Sequence, residues 1–320
     1  MEEKIRDVVM IGAGPSALAA AVYTTREGID TVLYEKGVIG GLAAITDQVD
    51  NYPGFPEGVP GLELAERLEK QAERFGAQID FGDVSAIRDE GDVKVVVVDD
   101  QEVKARTVLI ATGSDYNKLG VPGEQTYYGR GVHYCATCDG AFYKDKKLVV
   151  VGGGNSGFQE AIFLTRFTTH IDLLVRSTVK ASEVLQEQMQ KYVDEGKVTI
   201  HLQTTVDEIT AENGKVNGVK AVKDGQPVTF ESDGVFVFVG LKPNTQFLEG
   251  SGIELDEQKL VKTDAHLSTN IPGVYASGDV RSGATMQVAS AVGEGATAAL
   301  SIREYLDEQA HKKSKGKTLY

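Results

Sequence analysis

Asp7-Val8-Val9-Met10-Ile11-Gly12-Ala13-Gly14-Pro15-Ser16-Ala17 is the stretch that decides the fold. The apolar run after Asp7 reads as a buried parallel strand. The next six residues are G-x-G-x-x-A, and residues 18–26 continue with helical character. Gly12 permits the tight turn, and Gly14 lets a pyrophosphate approach the backbone. Ala17 is small enough for the helix to pack on the sheet with its N-terminus facing the phosphates. Thr31-Val32-Leu33-Tyr34 reads as the next strand and ends at Glu35. An acid about 20 residues past the glycines suits an adenosine ribose, whose hydroxyls it can hold. A fortuitous Gly-rich turn is the bland alternative.

The same pattern returns in mid-chain. Lys147-Leu148-Val149-Val150-Val151 is followed by Gly152-Gly153-Gly154-Asn155-Ser156-Gly157, again G-x-G-x-x-G, and by apolar periodicity over residues 158–167. The next predicted strand, residues 171–175, ends at Arg176-Ser177-Thr178, with Lys180 close behind. An acid at that strand end selects NAD; an arginine with hydroxyls can accommodate the 2′-phosphate of NADP. The alternative is that Arg176 and Lys180 are ordinary surface charges.

Between the two units lies Gly131-Val132-His133-Tyr134-Cys135-Ala136-Thr137-Cys138-Asp139-Gly140, holding both cysteines of the 320 residues. Thiols at Cys-x-x-Cys spacing can close a small disulfide if the backbone turns. The adjoining carboxylate can move the proton that thiol–disulfide exchange requires. Half a zinc site or two buried thiols are the competing readings. Zinc fails on ligand count, since four are wanted and His133 adds only a third, so no metal is expected.

Elsewhere, residues 37–51 read as irregular around Gly40-Gly41, and Asn51-Tyr52-Pro53-Gly54-Phe55-Pro56 as a turn cluster. Helical spacing covers residues 62–75, with Gly76 as the stop. Residues 79–87, 93–98 and 103–110 read as strands, with a turn at Asp99-Asp100 and a small-residue turn at Ala111-Thr112-Gly113. Later short strands are divided by turns at Asn213-Gly214 and Asp224-Gly225. Residues 235–239 read as a buried strand, and Gly240-Leu241-Lys242-Pro243-Asn244 as a crossing between domains. Val274-Tyr275-Ala276-Ser277-Gly278-Asp279 delivers an acid to the C-terminal end of a sheet, where α/β folds bind ligands. A small-residue helix is expected over 293–306. The tail with Lys312, Lys313, Lys315 and Lys317 is expected to be a frayed, solvated end.

The fold class expected is α/β, with two Rossmann-like nucleotide-binding domains of three-layer ββα type, the second inserted into the first. Residues 1–116 and 244–320 are expected to form the first nucleotide-binding domain, and residues 117–243 the inserted one carrying the Cys pair. Apolar residues are 41% and charged residues 25%, a soluble globular balance. The net charge of −14 argues against nucleic-acid and anionic-membrane partners. No run approaches a membrane span of about 20 apolar residues. The opening Met1-Glu2-Glu3-Lys4-Ile5-Arg6 leads into a strand, so no signal peptide and a cytoplasmic location are expected.

The chain resembles the bacterial-type, low-molecular-weight thioredoxin reductase family over nearly its whole length. The matching segments are Gly12-Ala13-Gly14-Pro15, Gly40-Gly41, Asn51-Tyr52-Pro53-Gly54, Ala111-Thr112-Gly113, Gly129-Arg130-Gly131-Val132, Cys135-Ala136-Thr137-Cys138-Asp139-Gly140, Gly152-Gly153-Gly154 and Gly278-Asp279-Val280. The Cys-Ala-Thr-Cys-Asp-Gly run ahead of a Gly-rich loop is specific to that family and its near relatives. The resemblance implies FAD held by Gly12, Gly14, Pro15, Ser16, Glu35, Lys36, Gly40, Gly41, Leu42, Asn51, Val84, Thr112, Gly113, Gly278 and Asp279, with Gln287, Val288 and Ala289 near the isoalloxazine. It implies NADPH at Gly152, Gly154, Asn155, Ser156, Arg176 and Lys180. It further implies that Cys138 faces the flavin, that Cys135 attacks the substrate disulfide, and that Asp139 protonates the flavin-proximal thiolate. The substrate implied is thioredoxin, and the assembly a homodimer whose inserted domain rotates between half-reactions.

Departures fall on the nicotinamide side. The family usually carries His-Arg-Arg where this chain has Val175-Arg176-Ser177, and Arg-Gln where it has Met286-Gln287. Asp and Ala usually stand at Asn155 and Gly157, and Glu at Gln159. NADPH is the donor expected, because Arg176 remains and no acid replaces it. NADH or a protein donor such as ferredoxin is the alternative. A small-molecule dithiol oxidase is a second reading, against which Ala136-Thr137 argues. A flavin- or nucleotide-binding regulator without turnover is a third, against which both cysteines argue.

Overall fold

The computed structural model describes residues 4–46 and 48–317. It divides into two compact units, Met1–Asp115 with Pro243–Tyr320, and Tyr116–Lys242.

In the first unit, Arg6–Ile11 lies between Thr31–Glu35 and Gln101–Ile110, all parallel, with Gln78–Phe81 and Val274–Ala276 extending the parallel set. Alternation along Arg6–Ile11 explains its burial on both faces. Val8 and Met10 join a core with the helices Pro15–Arg26, Gly61–Arg74 and Val288–Lys317. Val9 and Ile11 join a second core with Val84, Ile87, Val96 and Val98 of an antiparallel meander. Helices, parallel sheet and meander are therefore three layers with two apolar seams.

The second unit repeats the plan. Val198–His201, His170–Leu174, Lys147–Val151, Gly234–Val237 and Val132–His133 form a five-stranded parallel sheet in that order. Leu148 and Val150 face the helices Asn155–Leu164 and Glu183–Asp194 through one core. Val149 and Val151 face the meander Thr204–Glu212, Lys215–Lys223 and Gln226–Glu231 through another. The expected α/β class with two Rossmann-like halves is what the chain adopts. Asn213 and Asp224 take φ of 51° and 50° at the predicted meander turns.

Several expected elements differ. Residues 79–87 are two strands broken at Gly82-Asp83, Gln78–Phe81 on the parallel sheet and Val84–Asp89 in the meander. The chain changes partner there without a change of apolar pattern. Both phosphate-turn helices begin earlier than their apolar periodicity, at Pro15 and Asn155. Pro suits the first helical position because the N–H it lacks has no helical partner there. A short helix, Gly41–Ala44, interrupts the stretch read as irregular, and Glu183–Asp194 is a helix the sequence reading did not mark.

The last helix starts at Val288 and runs to Lys317, through the lysines expected in a frayed end. Packing explains Gly295: a Cβ there would stand 2.1 Å from the Ser16 carbonyl oxygen, so only Gly lets the two helices lie this close. Its far end is rich in helix formers. Among the described residues no helix is long and apolar enough to cross a membrane.

Candidate redox and dinucleotide sites

Each parallel sheet presents a glycine turn at its C-terminal edge. Gly12 has φ +97°, and a Cβ there would meet the Ala111 carbonyl oxygen at 2.6 Å. Gly152 is its counterpart, with a Cβ falling 2.4 Å from the Phe238 carbonyl oxygen. These two glycines let a neighbouring strand end touch the turn. Gly14 and Gly154 are different: a Cβ on either meets nothing within 4 Å. Each turn therefore leaves an open cradle in front of a helix N-terminus, and neither helix carries an acid in its first turn. That arrangement fits a dinucleotide pyrophosphate.

In the first unit Glu35 ends the second strand and folds over the cradle. Its carboxylate accepts from Ala13 N at 2.7 Å and from Gly37 N at 2.7 Å, leaving lone pairs for ribose hydroxyls. Lys36 is exposed beside it. Gly40 N donates to the Ala13 carbonyl at 2.8 Å, which ties Gly40, Gly41 and Leu42 to the same turn. Ser16 Oγ and Ser277 Oγ are 2.6 Å apart, joining the first turn of helix Pro15–Arg26 to the strand end ahead of Gly278 and Asp279. Thr112 and Asn244 bond reciprocally, at 2.7 and 3.0 Å, next to Gly113. Asn51 Nδ2 donates to Gln287 Oε1 at 3.0 Å, across 236 residues, just ahead of Val288 and Ala289 at the start of the last helix. Val84 is buried at the head of the meander strand, in the seam behind the sheet.

Asp279 is the electrostatic anomaly of this unit. Burial, and then the neighbouring Glu294, push its carboxyl up to about 6. Glu294 is itself held by Gly278 N at 2.8 Å and by Arg281 at 2.6 Å. A partly buried carboxylate with so little compensation fits a site completed by hydroxyls of a bound ligand. It also predicts a pH effect on the protein without ligand. The folded value lies above the unfolded one, so stability present below about pH 4 is lost as pH rises through about 6. The loss attributable to this group is about 3 kcal/mol. Asp279→Asn should remove it: urea unfolding at pH 7.5 should find the variant more stable by up to that amount, the difference shrinking toward pH 4.5.

In the second unit the loop after His170–Leu174 returns to the glycine turn. Lys180 N donates to the Gly153 carbonyl at 2.7 Å, and Asn155 Oδ1 accepts from Ser182 N at 2.8 Å. Arg176 and Lys180 thus border the open cradle at Gly154, with Ser156 exposed in the first turn of the helix. Both cations are exposed, and neither makes an ion pair among the described residues.

The cysteines follow the short strand Val132–His133 at the edge of the same sheet. Tyr134 precedes them and is anchored by stacking on Tyr116, centroids 5.3 Å apart, and by donating to Glu124 at 2.7 Å. The chain then coils into Ala136–Asp139, which brings the Cys135 and Cys138 Cα atoms to 5.3 Å in a closed disulfide. Cys138 N points at Cys135 Sγ at 3.2 Å. Both cysteines are partly exposed.

Asp139, also partly exposed, carries its carboxylate 3.2 Å from His133 Nδ1. Sequence reasoning weighed His133 only as a metal ligand and did not mark Tyr143, whose hydroxyl is 2.7 Å from His133 Nε2. It also passed over Glu160, whose carboxylate is raised by burial and accepts from the Ala136 N–H at the head of the redox turn. His133 ends a strand and Asp139 closes the helical turn after it, so neither the strand nor the helix period relates them and the pair leaves no signal in sequence.

A disulfide with an adjoining acid, carried by a unit with one dinucleotide cradle and joined to a unit with another, can pass electrons from a nucleotide to a second disulfide. Known proteins agree with that chemistry. The profile of the pyridine nucleotide-disulphide oxidoreductase family matches residues 6–295. The chain is 43% identical over 310 residues to the thioredoxin reductase of Bacillus subtilis (strain 168), covering 96% of each. It is 42% identical to that of Listeria monocytogenes, also over 96% of each. The crystal structure of thioredoxin reductase from Streptococcus pyogenes MGAS5005 superposes with a TM-score of 0.90 at 38% identity, over 95% of this chain and 99% of that one. With its two glycine cradles and its single redox disulfide inside that match, the chain belongs to the pyridine nucleotide-disulphide oxidoreductase family.

Proposed function

We propose that this chain is a thioredoxin-disulfide reductase that passes electrons from NADPH through FAD and the Cys135–Cys138 pair to thioredoxin. The observation that carries the reading is the Cys135–Cys138 disulfide with Asp139 directly after it. Gly12, Gly14, Glu35, Asp279 and the Asn51–Gln287 pair are the residues that would hold FAD, and Gly152, Gly154, Arg176 and Lys180 those that would hold the nicotinamide nucleotide. When bound, FAD supplies a carrier that accepts two electrons from a dihydronicotinamide and yields them to a disulfide.

The rest belongs to this chain. The Cys138 N–H aimed at Cys135 Sγ favours charge on that sulfur, which suits Cys135 to attack the disulfide of thioredoxin as a thiolate. Cys138 then resolves the mixed disulfide, and Asp139 moves the proton. The resemblance to the family also supports a homodimer, which sedimentation would test.

Anaerobic titration of the yellow protein with NADPH and with NADH, watching flavin bleaching, tests the donor. NADPH should bleach it at lower concentration. Arg176 is exposed, so its contact with a 2′-phosphate belongs at the lower end of charge-assisted bonds, about 1.5 kcal/mol. Arg176→Ala should raise the KM for NADPH about tenfold and leave NADH nearly unchanged. Equal damage to both nucleotides would make Arg176 structural. Failure of both nucleotides to bleach the unmutated protein at millimolar levels would transfer the role of donor to a reduced protein such as a ferredoxin.

A further inference from the structure

Reducing one disulfide consumes two electrons and two protons: the S–S bond breaks and two S–H bonds form. In the function proposed above, on which this inference rests, the bound cofactors supply the electrons. A dihydronicotinamide delivers those electrons together with one of the protons, as a hydride, so one proton per bond must come from solvent; Asp139, a carboxyl that stores a single proton, must be refilled once for each bond reduced.

The titratable side chain in contact with Asp139 is His133, its Nδ1 3.2 Å from Oδ2. The imidazole is 5% exposed and cannot turn freely. It stacks on Phe236 with centroids 5.1 Å apart, and Tyr143 stands edge-on at 5.4 Å. Its second nitrogen is engaged as well, Nε2 lying 2.7 Å from the Tyr143 hydroxyl. With both nitrogens occupied, the two neutral tautomers correspond to two states of the acid. With Nδ1–H donating to the carboxylate, Nε2 accepts from Tyr143. With Asp139 protonated and donating to Nδ1, Nε2–H donates to the Tyr143 oxygen. Burial, then Asp139 and Asp233, hold the Tyr143 hydroxyl well above its ordinary value, so it conducts a proton without keeping a charge.

We propose that His133, backed by Tyr143, is a positioning residue that orients the Asp139 carboxylate toward the cysteine pair and returns its proton after each bond is reduced. Other charged groups bear on this turn from the elements around it. Asp233, just before strand Gly234–Val237, accepts from Lys147 N at 3.0 Å and pairs with Lys146 at 3.4 Å. Glu160, on helix Asn155–Leu164, accepts from Ala136 N–H. Each of them already has a partner of its own, which leaves His133 facing Asp139.

The test uses the intact flavoprotein. His133→Asn keeps a polar group near Asp139 and removes the imidazole ring. It should leave flavin reduction by nicotinamide unchanged, lower kcat for thioredoxin about tenfold at pH 7, and shift the limb of the kcat–pH profile belonging to the Asp139–His133 pair. Added imidazole should restore part of the rate in His133→Ala. Tyr143→Phe, which leaves the ring in place but removes the partner of Nε2, should slow turnover about threefold and move the same limb less. A parent-like kcat and pH profile in His133→Asn overturns the relay. If that variant does not fold, an unchanged profile in Tyr143→Phe overturns it instead. Thioredoxin reduction surviving in Cys138→Ser would be a different failure, that of the functional reading itself.

Discussion

Cys138→Ser is expected to lower thioredoxin reduction at least about a thousandfold while the protein stays yellow and its flavin stays reducible. Serine matches the cysteine in size on a turn that is partly exposed, so the fold has no reason to change. What it removes is the second sulfur. Cys135 alone can attack a substrate disulfide, but the mixed disulfide formed then has no neighbouring thiolate to resolve it. Electrons also lose their entry into the pair, because no disulfide exists to accept them. Thioredoxin-coupled turnover and the visible spectrum, measured on one preparation, separate the two effects. Turnover near that of the parent would remove the Cys pair from the electron path.

Gly14→Asp carries the second large effect, and it discriminates fold from ligand. Gly14 stands at the N-cap of helix Pro15–Arg26 with φ −74° and ψ 177°, a conformation open to any residue. A Cβ there meets nothing within 4 Å. Aspartate is among the best N-caps, so the flavin-free protein should unfold at the same urea concentration as the parent or slightly above it. The new carboxylate, however, fills the cradle and sets a negative charge against the pyrophosphate. Flavin affinity should fall more than about a hundredfold, and the variant should purify colourless. Gly12→Ala is the control: its Cβ would collide with the Ala111 backbone, so it should damage stability as well as colour. A yellow Gly14→Asp protein would place the pyrophosphate elsewhere.

What the sequence by itself determined is local. Each glycine cradle spans six residues between a strand and a helix, and its requirements come from backbone sterics within that span. Cys135, Cys138 and Asp139 share one turn, so spacing alone puts them together. The apolar runs of Arg6–Ile11 and Lys147–Val151 could be read as buried strands because a parallel strand covered on both faces needs apolar residues at successive positions.

Tertiary structure decided the rest. The partners of Asn51 and Asp279 lie 236 and 15 residues away, at Gln287 and Glu294, and only packing of the last helix on the sheet supplies them. The split of residues 79–87 was set by which neighbour each half found, the parallel sheet or the meander. His133 became a partner of Asp139 because its strand registers with Phe236, whose ring fixes the imidazole over the returning turn. Such contacts are chosen by sheet register and side-chain stacking, which act between segments and leave no period along the chain.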